Sequence, residues 1–370
     1  MFSWRYTHNG ADVAPVTETL WHGPAMAALE VDGPNDVALI DTTVDGIGRY
    51  APLLPVDPAR FVTLGAGSTP LVAAKLAGQP VLFKLDALLP TGSFKDRGAA
   101  VAVALLKANG ARRIVVDSSG NAAAAMAAYS AANGIACVVY APAYASAGKL
   151  VQARAYGAEV RLVDGARDAV ASAAQAAGEA DANAHYVSHN WSSVFAEGVK
   201  TWALEVWEQL DRRVPARVFL PVGGGSALIG ALRGFQATGR LPRIIAGQPA
   251  ACAPLAQAYS QGADTLPAIT PGETLAEGAR IARPPRGGLL LDALRASQGA
   301  AAAIEEPDLI EALRALWRRG IYAEPTAALG AAAFLQAAKA GEDLAGTNVV
   351  LITGSGLKAT EAIQGLLDAG

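Results

Sequence analysis

From about Thr63 onward the chain alternates two patterns: short, mostly apolar runs, and longer alanine-rich runs with helical spacing. The first kind includes "PVLFKLD" (80–86), "RRIVVDSSG" (112–120), "IACVVYAP" (135–142), "EVRLVDG" (159–165), "ARVFLPVGGGS" (216–226), "RIIAGQ" (243–248) and "NVVLITGSG" (348–356). The second includes "FKDRGAAVAVALLKANG" (94–110), "NAAAAMAAYSAANG" (121–134), "SAGKLVQARAYG" (146–157), "ARDAVASAAQAAGEA" (166–180) and "ALIGALRGFQATG" (227–239), with a last helix after the final strand. Apolar runs of this length, bounded by turn residues, predict strands buried on both faces, with the intervening helices wrapping a parallel sheet. Gly110 and Gly134 stand where helices end. The recurring order of strand, Gly/Ser turn and helix collects candidate ligand groups at the carboxyl ends of the strands.

Length and composition narrow the class. At 370 residues the chain exceeds one small core, so two domains are expected. Hydrophobic residues make up 52% and charged residues 17%, with a mean hydropathy of +0.26, which argues against disorder. Much of that hydropathy is alanine. No apolar run is long enough to span a bilayer, and "MFSWRYTHNG" lacks a signal-peptide core. A net charge of −3 leaves no basic stripe for nucleic acid. Cys137 and Cys252 stand alone, which suits a reducing, cytoplasmic setting. His8, His22, His185 and His189 form no metal-ligand motif, so no metal is expected. Residues 1–60 read as an irregular arm, and 141–147 and 268–290 as linkers or excursions.

Three turns and one lysine carry chemistry. "PVGGGSALIG" (221–230) puts small residues, Gly223 to Ala227, at a helix start, where free amides and the dipole attract a phosphate. A dinucleotide turn needs a glycine three places after Gly225; Leu228 stands there, and Gly230 comes too late. No Gly-Lys-Ser/Thr ends the loop, so a single phosphate fits best, and a nicotinamide dehydrogenase is disfavoured. "DSSGNAA" (117–123) offers donors from Ser118, Ser119, Gly120 and Asn121, either to a carboxylate or as an ordinary helix cap. "LITGSGLKAT" (351–360) sets Thr353 and Ser355 at a strand end, to meet a ring nitrogen or nearby backbone. Lys95 opens a buried helix in "PTGSFKDRGAA" (90–100). Apolar surroundings favour its neutral amine, the form that condenses with an aldehyde. Phosphate cradle, carboxylate loop, strand-end hydroxyl and amine together point to pyridoxal 5′-phosphate.

The motifs "TPL" (69–71), "GSFKDRG" (92–98), "SSGNAAAA" (118–125), "GKLVQARAYGAEV" (148–160), "EGVKT" (197–201), "PVGGGS" (221–226), "EPTAA" (324–328) and "TGSGLK" (353–358) follow one another in order. Together they resemble the fold-type-II pyridoxal-phosphate enzymes of the tryptophan-synthase-β-like superfamily, and within it the threonine synthases. The resemblance implies an α/β fold of two doubly wound domains with mainly parallel sheets and the cofactor in the cleft between them. The expected division is an arm over 1–60, a large domain over 61–103 plus 190–370, and a small inserted domain over 104–189. It also implies an amino-acid substrate, a biosynthetic role and a homodimer, with no membrane or nucleic-acid partner.

By motif, Lys95 is the lysine that links to the cofactor and the catalytic base. Asn121 meets the ring hydroxyl, Gly223, Gly224, Gly225, Ser226 and Ala227 hold the phosphate, and Thr353 sits at the ring nitrogen. Ser118, Ser119 and Gly120 receive the substrate carboxylate. The implied reaction is O-phosphohomoserine plus water giving threonine plus phosphate. Two departures favour an alternative, an ammonia-lyase for threonine, serine or diaminopropionate, or a β-replacement synthase. Phe195 stands where the family has an arginine, and a phenyl ring does not replace a guanidinium fork on a phosphate. The family's asparagine-rich cofactor loop reads "GGGSA" here, in the dehydratase style; a further family stretch, glycine-asparagine-proline, reads "ARPPRGG", which offers Arg283 and Arg286 as substitute anion binders.

Overall fold

The computed structural model describes residues 4–145, 147–165 and 167–368. Their contacts gather into two compact units. One takes everything described up to Ser68, with Leu89–Thr91 and Lys95–Thr201; the other takes Thr69–Leu88, Gly92–Phe94 and the chain from Trp202 onward.

The first unit is built on four parallel strands in the order Glu159–Val163, Ala136–Pro142, Arg113–Asp117, Ala184–Tyr186. The two middle strands are almost wholly buried, which explains their uninterrupted apolar sequence. Helices Lys95–Ala108, Asn121–Asn133, Ala147–Ala155, Arg167–Glu179 and Ser193–Val199 accompany the sheet. Asn121–Asn133 ends on Gly134 at φ +65°, a left-handed position that glycine takes without strain.

The stretch expected to be irregular instead carries an antiparallel three-stranded sheet, ordered Ala11–Pro15, Arg5–His8, Glu30–Asp32. These strands have three to five residues and little apolar alternation, so periodicity does not reveal them. The same segment reaches the parallel sheet: Trp21 stands edge-on to Tyr186 at 4.9 Å, and Asn109 donates to the Val16 carbonyl at 3.1 Å.

The second unit holds six strands in the order Ala300–Ile304, Arg243–Pro249, Arg217–Pro221, Asn348–Ile352, Gln79–Leu85, Leu71–Leu76. All neighbours are parallel except the last pair, where Leu71–Leu76 runs antiparallel at the edge. Ala300–Ile304 is a run of alanines that local propensity assigns to helix; pairing with Arg243–Pro249 overrides it. One core cluster joins Phe219, Val350 and Ile352 to the apolar faces of helices Glu306–Trp317 and Pro325–Lys339.

A buried lysine sits in that sheet. Lys84 is fully enclosed and donates to Glu205 at 2.6 Å, to the Thr69 carbonyl at 2.8 Å and to Gln209 at 3.0 Å. Thr69 in turn donates to Asp86 at 2.8 Å, so the "TPL" motif is a strut of this network. Stranding one charge of a buried pair costs about 3–5 kcal/mol, whereas removing both partners is far milder. We expect Lys84→Met to lose stability on that scale in urea unfolding, and Lys84→Met with Glu205→Leu to regain most of it.

Candidate active site

In the second unit Arg217–Pro221 and Asn348–Ile352 lie side by side and parallel, so the glycine turn and the "TGSG" turn leave the sheet at one edge. A Cβ on Gly223 would meet the Gly278 carbonyl oxygen at 2.7 Å and Ala279 Cα at 2.8 Å, so only glycine fits. Gly225 takes φ +92° and heads helix Ser226–Ala237 with no side chain capping it. The positive end of that helix's dipole lies at this turn. Gly223 and Gly224 are half-buried, while Ser226 and Ala227 are buried.

Thr353 is buried just beyond the neighbouring strand, and its carbonyl accepts the Phe94 N–H at 2.8 Å. Ser355 N–H donates to the Gly92 carbonyl at 2.9 Å, and Glu324 N–H donates to the Gly354 carbonyl at 3.1 Å. The "EPTAA" motif thus braces "TGSGLK", which in turn fixes the residue that precedes Lys95. Of the two arginines in "ARPPRGG", Arg283 is exposed, whereas Arg286 is enclosed and burial pushes it down to about 10. Arg233 is pushed down to about 9, first by burial and then by the charge of Arg286.

In the first unit Lys95 is the first residue of its helix and is half-buried. The motif residues around it are structural. Asp96 accepts from the Thr91 amide at 2.7 Å and the Thr91 hydroxyl at 2.5 Å; Arg97, wholly buried, donates to Thr201 at 3.1 Å. Gly98 lies against the Phe195 ring and Gly198 against the Arg97 carbonyl so closely that a methyl group fits at neither. Glu197 and Lys200, both buried, pair at 2.6 Å, with the Lys200 ammonium 5.5 Å over the Trp4 ring. "SFKDRG" and "EGVKT" are therefore two halves of one helix crossing.

Ser118 is buried and Ser119, Gly120 and Asn121 are half-buried at the end of strand Arg113–Asp117. The capping alternative for this loop is not realised: Gly120 heads helix Asn121–Asn133 without a side-chain cap, and Ser118 Oγ accepts the Gly120 amide at 3.3 Å. The adjacent parallel strand, Ala184–Tyr186, delivers His189 to the same sheet edge.

A family model described as pyridoxal-phosphate dependent enzyme matches residues 62–354. The chain belongs to that family. The threonine synthase of Methanocaldococcus jannaschii is 35% identical over 334 residues, covering 86% of this chain and 82% of the relative. That of Synechocystis sp. is 36% identical over 331 residues, covering 84% and 82%. A solved threonine deaminase from T.th. superposes with a TM-score of 0.68 at 29% identity, covering 78% of this chain and 92% of that one. Membership carries the fold-type-II architecture, an α/β body with mainly parallel sheets, and the pyridoxal phosphate cofactor.

The residues present fit that cofactor. At Gly223 a Cβ has no room against Gly278 and Ala279, so the turn stays bare backbone, and the helix start that adjoins it has no side-chain cap. One further polar group has no sequence signal beyond a lone histidine after a short apolar run. His189 is 9% exposed, and its Nδ1 is sealed from solvent without a hydrogen-bond partner, an omission that costs about 1–3 kcal/mol. The Lys95 ammonium lies 5.7 Å over the Phe195 ring, and the His189 and Phe195 rings stand edge to face at 6.1 Å. Burial, then the charges of Lys95 and Arg167, hold His189 well below the usual histidine range. Burial likewise raises Asp117, against the pull of Arg167.

A folded-state pKa below the unfolded one means that the unfolded chain binds the extra proton, so His189 removes stability as pH falls below about 6.5. With four histidines in the chain, imidazole NMR can follow each ring. We expect the His189 resonance to stay in its neutral position at pH 6, and His189→Gln to flatten the loss of stability between pH 7 and 5.5.

Proposed function

We propose that the chain is a pyridoxal-phosphate-dependent carbon–oxygen lyase of the threonine synthase kind, acting on a small amino acid whose side chain carries an oxygen leaving group. The observation that carries this reading is the setting of Lys95. It opens its helix immediately after Phe94, whose amide is bound to Thr353, and the glycine turn leaves the strand next to that of Thr353.

Lys95 would hold the cofactor covalently, and its free amine would serve as the base that takes the proton from the substrate Cα. Gly223, Gly224, Gly225, Ser226 and Ala227 bind the cofactor phosphate, Asn121 its ring hydroxyl and Thr353 its ring nitrogen. Ser118, Ser119 and Gly120 orient the substrate carboxylate. The bound cofactor supplies an electron sink at Cα that makes loss of a side-chain oxygen group feasible. The threonine hydroxyl carries no charge, so it does not force the ring nitrogen to be protonated, which favours elimination and replacement over transamination.

The threonine synthase relatives support one net reaction, O-phosphohomoserine plus water to threonine plus phosphate. Phe195 and the threonine deaminase neighbour support a second, threonine to 2-oxobutanoate and ammonia.

Lys95→Ala should fold but lose the absorption band of covalently held cofactor, together with all turnover. Retention of either would remove the assignment. Gly224→Asp places a carboxylate beside the phosphate and should weaken cofactor binding at least about tenfold, about 1.4 kcal/mol, by fluorescence titration of the apoprotein. Unchanged affinity would rule out the glycine turn as the cradle.

A further inference from the structure

We propose that the cavity between residues 264–268 and 282–288 is an effector site for a small carboxylate with a short apolar chain, joined to the glycine turn through one shared strap. The binding stands by itself; its effect on the cofactor rests on the reading of the glycine turn above.

The cavity has a volume of about 300 Å³ and lies wholly within the second unit. That is enough for a small molecule. Leu266, Pro267 and Pro284 give it an apolar lining, and Arg283, Asp264 and Thr265 a polar one. It reaches down to the start of helix Gly287–Ala296. A Cβ on Gly287 would strike Leu266 at 2.7 Å, whereas one on Gly288 would meet nothing within 4 Å, so the space beside Gly288 is open. None of the residues of the glycine turn lines it.

Charge decides the ligand. Arg280 is engaged by Glu273 at 2.8 Å, and Arg295 by Asp264 at 2.9 Å and Asp292 at 3.5 Å. Arg283 forms no ion pair or hydrogen bond with any of the described residues, so its guanidinium keeps the paired donors that fit a carboxylate. Asp264, although held by Arg295, still sets a negative charge on the lining, which suits a single carboxylate and opposes a phosphate dianion. A short hydrocarbon chain leaves water against Leu266, Pro267 and Pro284.

The strap gives the cavity a use. Gly278, Ala279 and Ile281 lie against Gly223, and Leu290 lies against Gly225. Arg283, Pro284 and Gly288, in the same stretch of chain, line the cavity. A ligand lodged there restrains the segment on which the glycine turn leans, and linkage makes the hold on a guest at that turn respond.

The test follows sodium butyrate, 1-butanol and inorganic phosphate on the holoenzyme by saturation-transfer NMR, which gives each Kd without turnover. Butyrate should bind about tenfold or more tightly than the other two, and Arg283→Gln should remove about that factor. Gly288→Leu, whose side chain grows into the open space, should block butyrate without moving the urea midpoint. Butyrate should slow the loss of cofactor absorbance from diluted holoenzyme about fivefold, and Gly288→Leu should abolish that effect. The proposal is overturned if butyrate does not bind, or if its binding survives both variants, which would place it at the serine loop instead. It is equally overturned if bound butyrate leaves cofactor release unchanged. A protein that holds no cofactor removes the lyase reading, whereas butyrate binding lost in both variants would still uphold the cavity as its site.

Discussion

The proposed chemistry depends on how firmly the start of one helix is held. Lys95 has no freedom to choose its place. The amide of the preceding residue is tied to the Thr353 carbonyl, and the following carboxylate takes both hydrogens that Thr91 offers. A long, flexible side chain loses entropy when it is placed for reaction, and an anchored backbone limits that loss to the side chain itself. The buried aspartate and arginine that follow the lysine in the sequence are thus part of the clamp.

Each of the two sheets follows the same geometric rule. Parallel strands present their carboxyl ends together, so turns that are distant in sequence emerge as neighbours. Pro221 and Ile352 end adjacent strands of one sheet, Asp117 and Tyr186 adjacent strands of the other. The glycine turn and the strand-end threonine arise from the first pair, the serine loop and His189 from the second. Lys84, although far better enclosed than Lys95, is committed to Glu205 and Gln209. Burial alone does not make a lysine reactive.

Much of this is legible in the sequence because buried parallel strands announce themselves. "VFLPV" and "VVLI" have no polar interruption, and the small and hydroxyl residues after them mark the turns. What stays hidden is set by tertiary context. The alanine strand Ala300–Ile304 contradicts its own propensity, and the strands near the N-terminus are too short to show a period. His189 is invisible because nothing local distinguishes a satisfied histidine from an orphaned one; its character comes from the strand pairing that brings it beside Ser118. Phe195 stands out as a departure from the family pattern, but only the packing of its ring on Gly98 explains why it cannot swing aside.

That packing limits how such a chain can vary. At Gly98 a methyl group would strike the Phe195 ring and at Gly198 the Arg97 carbonyl, so the two helices pack as closely as glycine alone allows. Any larger residue at either glycine would have to displace a whole helix, so variation in such a chain is channelled away from this crossing.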